Sequence, residues 1–119
     1  MKPPRLIGHR GAKAVAPENT LASFRKAAEY GADCIEFDVR LCADGVPVIF
    51  HDNTLERTSD GVGRAADLDL AALKEFDAGG WFARELFGET IPTLPETIVL
   101  CRDLGLGMNI EMKPIPGEE

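Results

Sequence analysis

The chain carries two histidines, His9 and His51, and each opens a charged pair, His9-Arg10 and His51-Asp52. Three carboxylates sit on two alternating segments: Glu36 and Asp38 in the run from Cys34 to Leu41, and Glu111 in the run from Met108 to Lys113. In an extended strand, alternation sends Glu36 and Asp38 to one side, roughly 6.5–7 Å apart at their Cα atoms. Ile35, Phe37, Val39 and Leu41 then face the other way. Carboxylates gathered on a buried face repel one another and are driven to protonate unless a cation lies among them. Oxygen donors alone suit a hard divalent ion, Mg²⁺ or Ca²⁺. Two histidines flanking such an ion suit general acid–base cleavage of a phosphodiester. One takes a proton from the nucleophile and the other gives one to the leaving alkoxide. The cation and Arg10 would balance charge on the phosphoryl oxygens. A plainer alternative puts both strands in a half-exposed antiparallel sheet, with the carboxylates facing water and the histidines serving as structural or surface residues.

The flanking elements decide between these readings. Residues 5–9 read as a short strand ending at His9, and Pro17-Glu18-Asn19-Thr20 carries helix-start chemistry with Asn19 or Thr20 as the cap. Leu21, Phe24, Ala27 and Ala28 then form a helix-spaced apolar stripe that Gly31 stops. Residues 34–41 are a strand, Asp44-Gly45 is a turn, and residues 46–51 return as a second extended run ending at His51. The pattern loosens over residues 53–92, with a short helix expected within 68–76. Residues 94–104 form a helix, with Pro95 near its start and Gly105 at its end, and residues 108–113 a final strand stopped by Pro114 and Pro116. Strand and helix alternate, which predicts a parallel α/β arrangement. In a (β/α) barrel the C-terminal ends of the strands line the mouth of the active site, and both histidines fall at strand ends.

Bulk properties narrow the partners. A net charge of −7 with no basic stripe argues against nucleic acid or an anionic membrane surface. No stretch approaches the ~20 apolar residues of a membrane helix, so no membrane insertion is expected. The N-terminus lacks the apolar core of a secretory signal. Three cysteines, Cys34, Cys42 and Cys101, have no metal-type spacing and suit a reducing compartment. A cytoplasmic protein is the expectation.

His9-Arg10-Gly11, Pro17-Glu18-Asn19-Thr20, Glu36-Phe37-Asp38-Val39, Asp44-Gly45 and His51-Asp52 together resemble the glycerophosphodiester phosphodiesterase family. The resemblance continues through Leu55-Glu56-Arg57-Thr58, Gly61, Asp77-Ala78-Gly79, Trp81-Phe82, Ile91-Pro92-Thr93-Leu94 and Asn109-Ile110-Glu111-Met112-Lys113, in order along nearly the whole chain. It implies a TIM-type (β/α)₈ barrel with a small insertion at residues 53–89, and hydrolysis of a small glycerophosphodiester to sn-glycerol 3-phosphate and an alcohol. Carried onto this chain, it makes Glu36, Asp38 and Glu111 the ligands of one divalent cation. It makes His9 and His51 the acid–base pair, with Arg10 and Lys113 on the phosphate. Glu18, Asn19 and Asp52 are read as supports for these residues. Trp81 and Phe82 are read as either a wall of the site or core.

Such barrels typically run to about 250 residues. The 119 residues are therefore expected to be the N-terminal part of one barrel domain, about three β/α units plus the insertion. Alternatives are a chain inactive by itself, a related phospholipase D-type phosphodiesterase, and a metal-free glycosidase using Glu36 and Glu111.

Overall fold

The computed structural model describes residues 6–114. Its first element is a short strand, β1 (Ile7–His9), followed by a loop and helix α1 (Leu21–Glu29). Thr20 is the cap: its side chain accepts from the Ser23 backbone N–H, meeting a donor that the first helical turn leaves without a partner. The central strand β2 (Cys34–Leu41) turns through Asp44-Gly45 into β3 (Pro47–Ile49). β3 is shorter than the extended run of residues 46–51. Its paired residues end at Val39↔Ile49, the Phe50 N–H still donates to the Asp38 carbonyl at 3.0 Å, and His51 lies beyond the ladder.

Residues 53–92 hold two 3₁₀ turns (Ala65–Asp67 and Arg84–Leu86) and a four-residue helix, α2 (Leu70–Leu73), capped by Asp69. α2 is the short helix expected within residues 68–76. Helix α3 (Leu94–Leu104) has the expected bounds and a reciprocal capping box between Thr93 and Glu96. It ends at Gly105, whose φ of 70° is a left-handed conformation that costs glycine nothing. Strand β4 (Gly107–Met112) closes the described chain. Among the described residues no helix is long and apolar enough to cross a membrane.

β2 organises the sheet. β1 runs parallel to it with Ile7 opposite Cys34 and His9 opposite Glu36, while β4 runs parallel from Gly107 opposite Cys34 to Met112 opposite Val39. Cys34 and Val39 each have partners on both sides, so β1 and the antiparallel β3 share one edge of β2 and β4 takes the other. Parallel neighbours joined through α1 and α3 are the α/β arrangement that the alternation predicts.

The two faces of β2 divide by parity. Ile35, Phe37 and Val39 are fully buried against Phe24 and Ala27 of α1, Cys101 of α3, Ile49 and Leu106. The Phe24 and Phe37 rings lie 5.6 Å apart at a tilt. Each such side chain contributes about 1.5–3 kcal/mol on burial, and this cluster fixes the register of β2. A second cluster, Cys42, Val48, Phe50, Leu55, Ala65, Leu73, Ala78 and Ile91, gives the irregular segment its own apolar anchor. The other face of β2 presents Glu36, Asp38 and Arg40.

Candidate functional site

Strand register brings the carboxylates together. Asp38 stands opposite Glu111 across the β2–β4 ladder, and Glu36 precedes Asp38 on the same face. One oxygen from each of Glu36, Asp38 and Glu111 lies within 4.8 Å of the other two. Asp38 is 1% exposed, which argues against a water-facing antiparallel sheet as the reason for its charge. Glu111 is on the open side of the group, with its side chain 55% exposed.

Each carboxylate has specific partners. Asp38 Oδ2 accepts from Asn19 Nδ2 at 3.0 Å, and Lys113 Nζ lies 3.7 Å from Asp38 Oδ1. Lys113 also donates to Glu111 Oε1 at 2.9 Å, and that hydrogen bond with its charge holds the Glu111 carboxyl below its ordinary range. Glu36 Oε1 accepts from the backbone N–H of Arg10 at 3.2 Å, and His9 Nε2 lies 3.6 Å from the same oxygen. His9, Arg10 and Lys113 are thus gathered around the three carboxylates.

The first loop is held under tension. Arg10 has φ 52° and Asn19 φ 57°, left-handed conformations that are uncommon outside glycine and that cluster at functional sites. The strained backbone is over-determined. The Arg10 carbonyl accepts from the Asn19 N–H at 2.9 Å and from Ser23 Oγ at 3.1 Å. Gly11 sits at φ 84°, where a Cβ would come 2.4 Å from Ser23 Oγ, so the loop needs a glycine there. The Arg10 side chain turns toward Glu18, with Nη1 3.2 and 3.3 Å from the two carboxylate oxygens. Its Nε is buried without a hydrogen-bond partner, 3.5 Å from Asp38 Oδ2. The anionic oxygen facing it is that of Asp38, so the Arg10 guanidinium lies between two carboxylates, Glu18 and Asp38.

His51 comes to the site from β3's continuation. Its Nδ1 is 2.6 Å from Asp52 Oδ1, and its carbonyl accepts from Arg40 Nε at 3.0 Å and Nη2 at 2.6 Å. Hydrogen bonds from Arg57 hold the Asp52 carboxyl down to about 2, against partial burial and with help from His51. An ionised Asp52 can only accept, so Nδ1 of His51 carries the proton and Nε2 is left for chemistry.

Two residues that sequence reading did not assign take part. Arg40 shares the parity of Glu36 and Asp38, and that was its available signal. Arg57 binds Asp52 through Nε (2.8 Å) and Nη2 (3.0 Å), and Glu18 through Nη1 (3.0 Å) and Nη2 (2.9 Å). Nothing local in the sequence announces a pairing across 39 positions. Burial raises the Glu18 carboxyl, but Arg57 and Arg10 outweigh it and hold it below its ordinary range. Trp81 packs edge-on to Phe82 at 5.7 Å and lines a shallow cleft with Asp60, Asp77, Arg84 and Phe87 in the irregular segment.

A family model described as the glycerophosphoryl diester phosphodiesterase family matches residues 9–118. A glycerophosphodiester phosphodiesterase of Caldanaerobacter subterraneus subsp. tengcongensis is 46% identical over 91% of this chain and 44% of that protein. Human glycerophosphodiester phosphodiesterase 1 is 40% identical over 90% of this chain and 33% of its own length. Among solved structures, an Oleispira antarctica phosphodiesterase in complex with the product sn-glycerol-3-phosphate superposes with a TM-score of 0.93. It is 50% identical, over 96% of this chain and 46% of that one. The chain spans less than half the length of these relatives. With the family model matching residues 9–118 and these relatives matching along nearly the whole chain, the chain belongs to the glycerophosphoryl diester phosphodiesterase family.

Proposed function

We propose that this chain carries the working residues of a hydrolase that splits small glycerophosphodiesters into sn-glycerol 3-phosphate and an alcohol. The observation that carries the reading is the convergence of Glu36, Asp38 and Glu111, one oxygen from each within 4.8 Å of the others, beside His9 and Arg10. Family membership and the product bound by the Oleispira relative support the same substrate class.

Three carboxylates, one of them buried, form an all-oxygen donor set that fits a hard divalent cation, Mg²⁺ or Ca²⁺. Glu36, Asp38 and Glu111 would hold it, and when bound it supplies positive charge to the phosphoryl oxygens. The chain's own residues do the rest. Arg10 and Lys113 bring positive charge to the phosphate, both lying beside Asp38. His9 and His51 divide the proton work of a hydrolysis that consumes one water, one taking a proton from the nucleophile and the other protonating the departing alkoxide as the P–O bond breaks. His51 acts through Nε2, since Asp52 engages Nδ1.

The parallel β1, β2 and β4, with α1 and α3 covering one face, support a TIM-type (β/α)₈ barrel whose first three units these are. Residues 53–89 are read as the insertion, with their own apolar cluster. Every residue of β4 is exposed, including Met108, Ile110 and Met112, which lie on the face that α1 and α3 cover elsewhere and which the helix of a further barrel unit would cover. Three buried free cysteines fit a cytoplasmic setting. The test is release of glycerol 3-phosphate from glycerophosphocholine by the full-length protein. His9→Ala and His51→Ala should each remove about 10²–10⁴-fold of the rate, and full activity in either variant would overturn the assigned roles.

A further inference from the structure

The loop of β1 and the segment after β3 bring the two histidines to the site from different parts of the chain. One guanidinium joins them. Arg57 makes two forked contacts, one to Asp52 and one to Glu18, with all four distances between 2.8 and 3.0 Å. Asp52 in turn holds Nδ1 of His51, and Glu18 holds Arg10, the neighbour of His9. Glu18 is nearly buried, whereas the Arg57 side chain is about half exposed.

We propose that Arg57 is a positioning residue that sets the tautomer of His51 through Asp52 and fixes the Arg10 loop through Glu18. The proposal rests on the reading of His51 as an acid–base group. As a half-exposed ion pair, Arg57 contributes little to stability. Its value is geometric: a planar fork satisfies two carboxylates along fixed directions, which a lysine ammonium cannot reproduce. With Asp52 pinned from behind, its Oδ1 faces His51 Nδ1 and selects the Nδ1–H form. Without Arg57, Asp52 is free to turn to solvent, and the imidazole loses that selection.

Long-range ¹H–¹⁵N correlation on the full-length protein, at a pH where the imidazole is neutral, reads the tautomer directly. The His51 signals are assigned by their loss in His51→Ala. The wild type should show the proton on Nδ1. Arg57→Ala and Arg57→Lys should both shift His51 toward the Nε2–H form and lower kcat about 10–100-fold, the usual cost of removing a partner behind a working histidine, with KM little changed. Millimolar guanidinium should restore Arg57→Ala toward wild type in both readouts. A wild-type His51 protonated on Nε2 overturns the proposal without any variant. So does a folded Arg57→Ala or Arg57→Lys protein that keeps the Nδ1–H tautomer. The tautomer is read without substrate, so its outcome is independent of whether glycerophosphodiesters are turned over.

Discussion

Replacing Glu18 with glutamine keeps the shape of the side chain but removes the charge on which two arginines converge. Glu18 accepts from Arg57 at 2.9 and 3.0 Å and from Arg10 at 3.2 and 3.3 Å, and it is itself nearly buried. Hydrogen bonds to charged groups contribute about 1.5–3 kcal/mol each when sheltered. Arg57 is half exposed, which brings its share down to about 1 kcal/mol. Arg10 is better buried but makes longer contacts, and a share of about 1 kcal/mol is appropriate there as well. Glu18→Gln should therefore cost about 2 kcal/mol near neutral pH, read as a lower urea midpoint with an unchanged m-value. The pH dependence has a definite sign. Because the folded-state carboxyl is held below its ordinary 4.5, its contribution is full above that value and fades as pH falls through the lowered one. Once protonated, wild-type Glu18 resembles glutamine, and the stability gap between the two proteins should close. A gap that is absent at pH 7, or that stays constant down to acid pH, would refute the reasoning.

Other expectations follow from single contacts. Phe37→Ala empties the centre of the cluster under α1 and α3 and should cost about 3–5 kcal/mol in chemical denaturation. Thr93→Ala removes one half of the α3 capping box and should cost about 1 kcal/mol, seen as a matching drop in urea midpoint. Burial pushes the Cys101 thiol up to about 11, so iodoacetamide at pH 8 should leave it unmodified in the folded protein and alkylate it after unfolding.

Features with a local signature were readable from the chain alone. β2 occupies residues 34–41 and α3 residues 94–104, as alternation and the Pro–Gly punctuation indicate, because a buried face and a pair of caps act within a few residues. The parity argument also located Glu36 and Asp38 on one face, and register with β4 brought Glu111 to them. Tertiary features were less legible. β3 stops at Ile49 because β1 takes the rest of the same edge of β2, with His9 opposite Glu36, and residues 68–76 give one turn of helix because their apolar residues serve an irregular cluster. Arg57 sits in a loop with no periodicity, and its partners are defined only once the fold brings Glu18 and Asp52 together.

The most direct measurement is glycerol 3-phosphate release from glycerophosphocholine by the full-length protein, before and after a chelator. The three-carboxylate site calls for activity that the chelator abolishes and that added Mg²⁺ or Ca²⁺ restores, with Asp38→Asn failing to recover. Undiminished release in the chelator, or full recovery in Asp38→Asn, would contradict it.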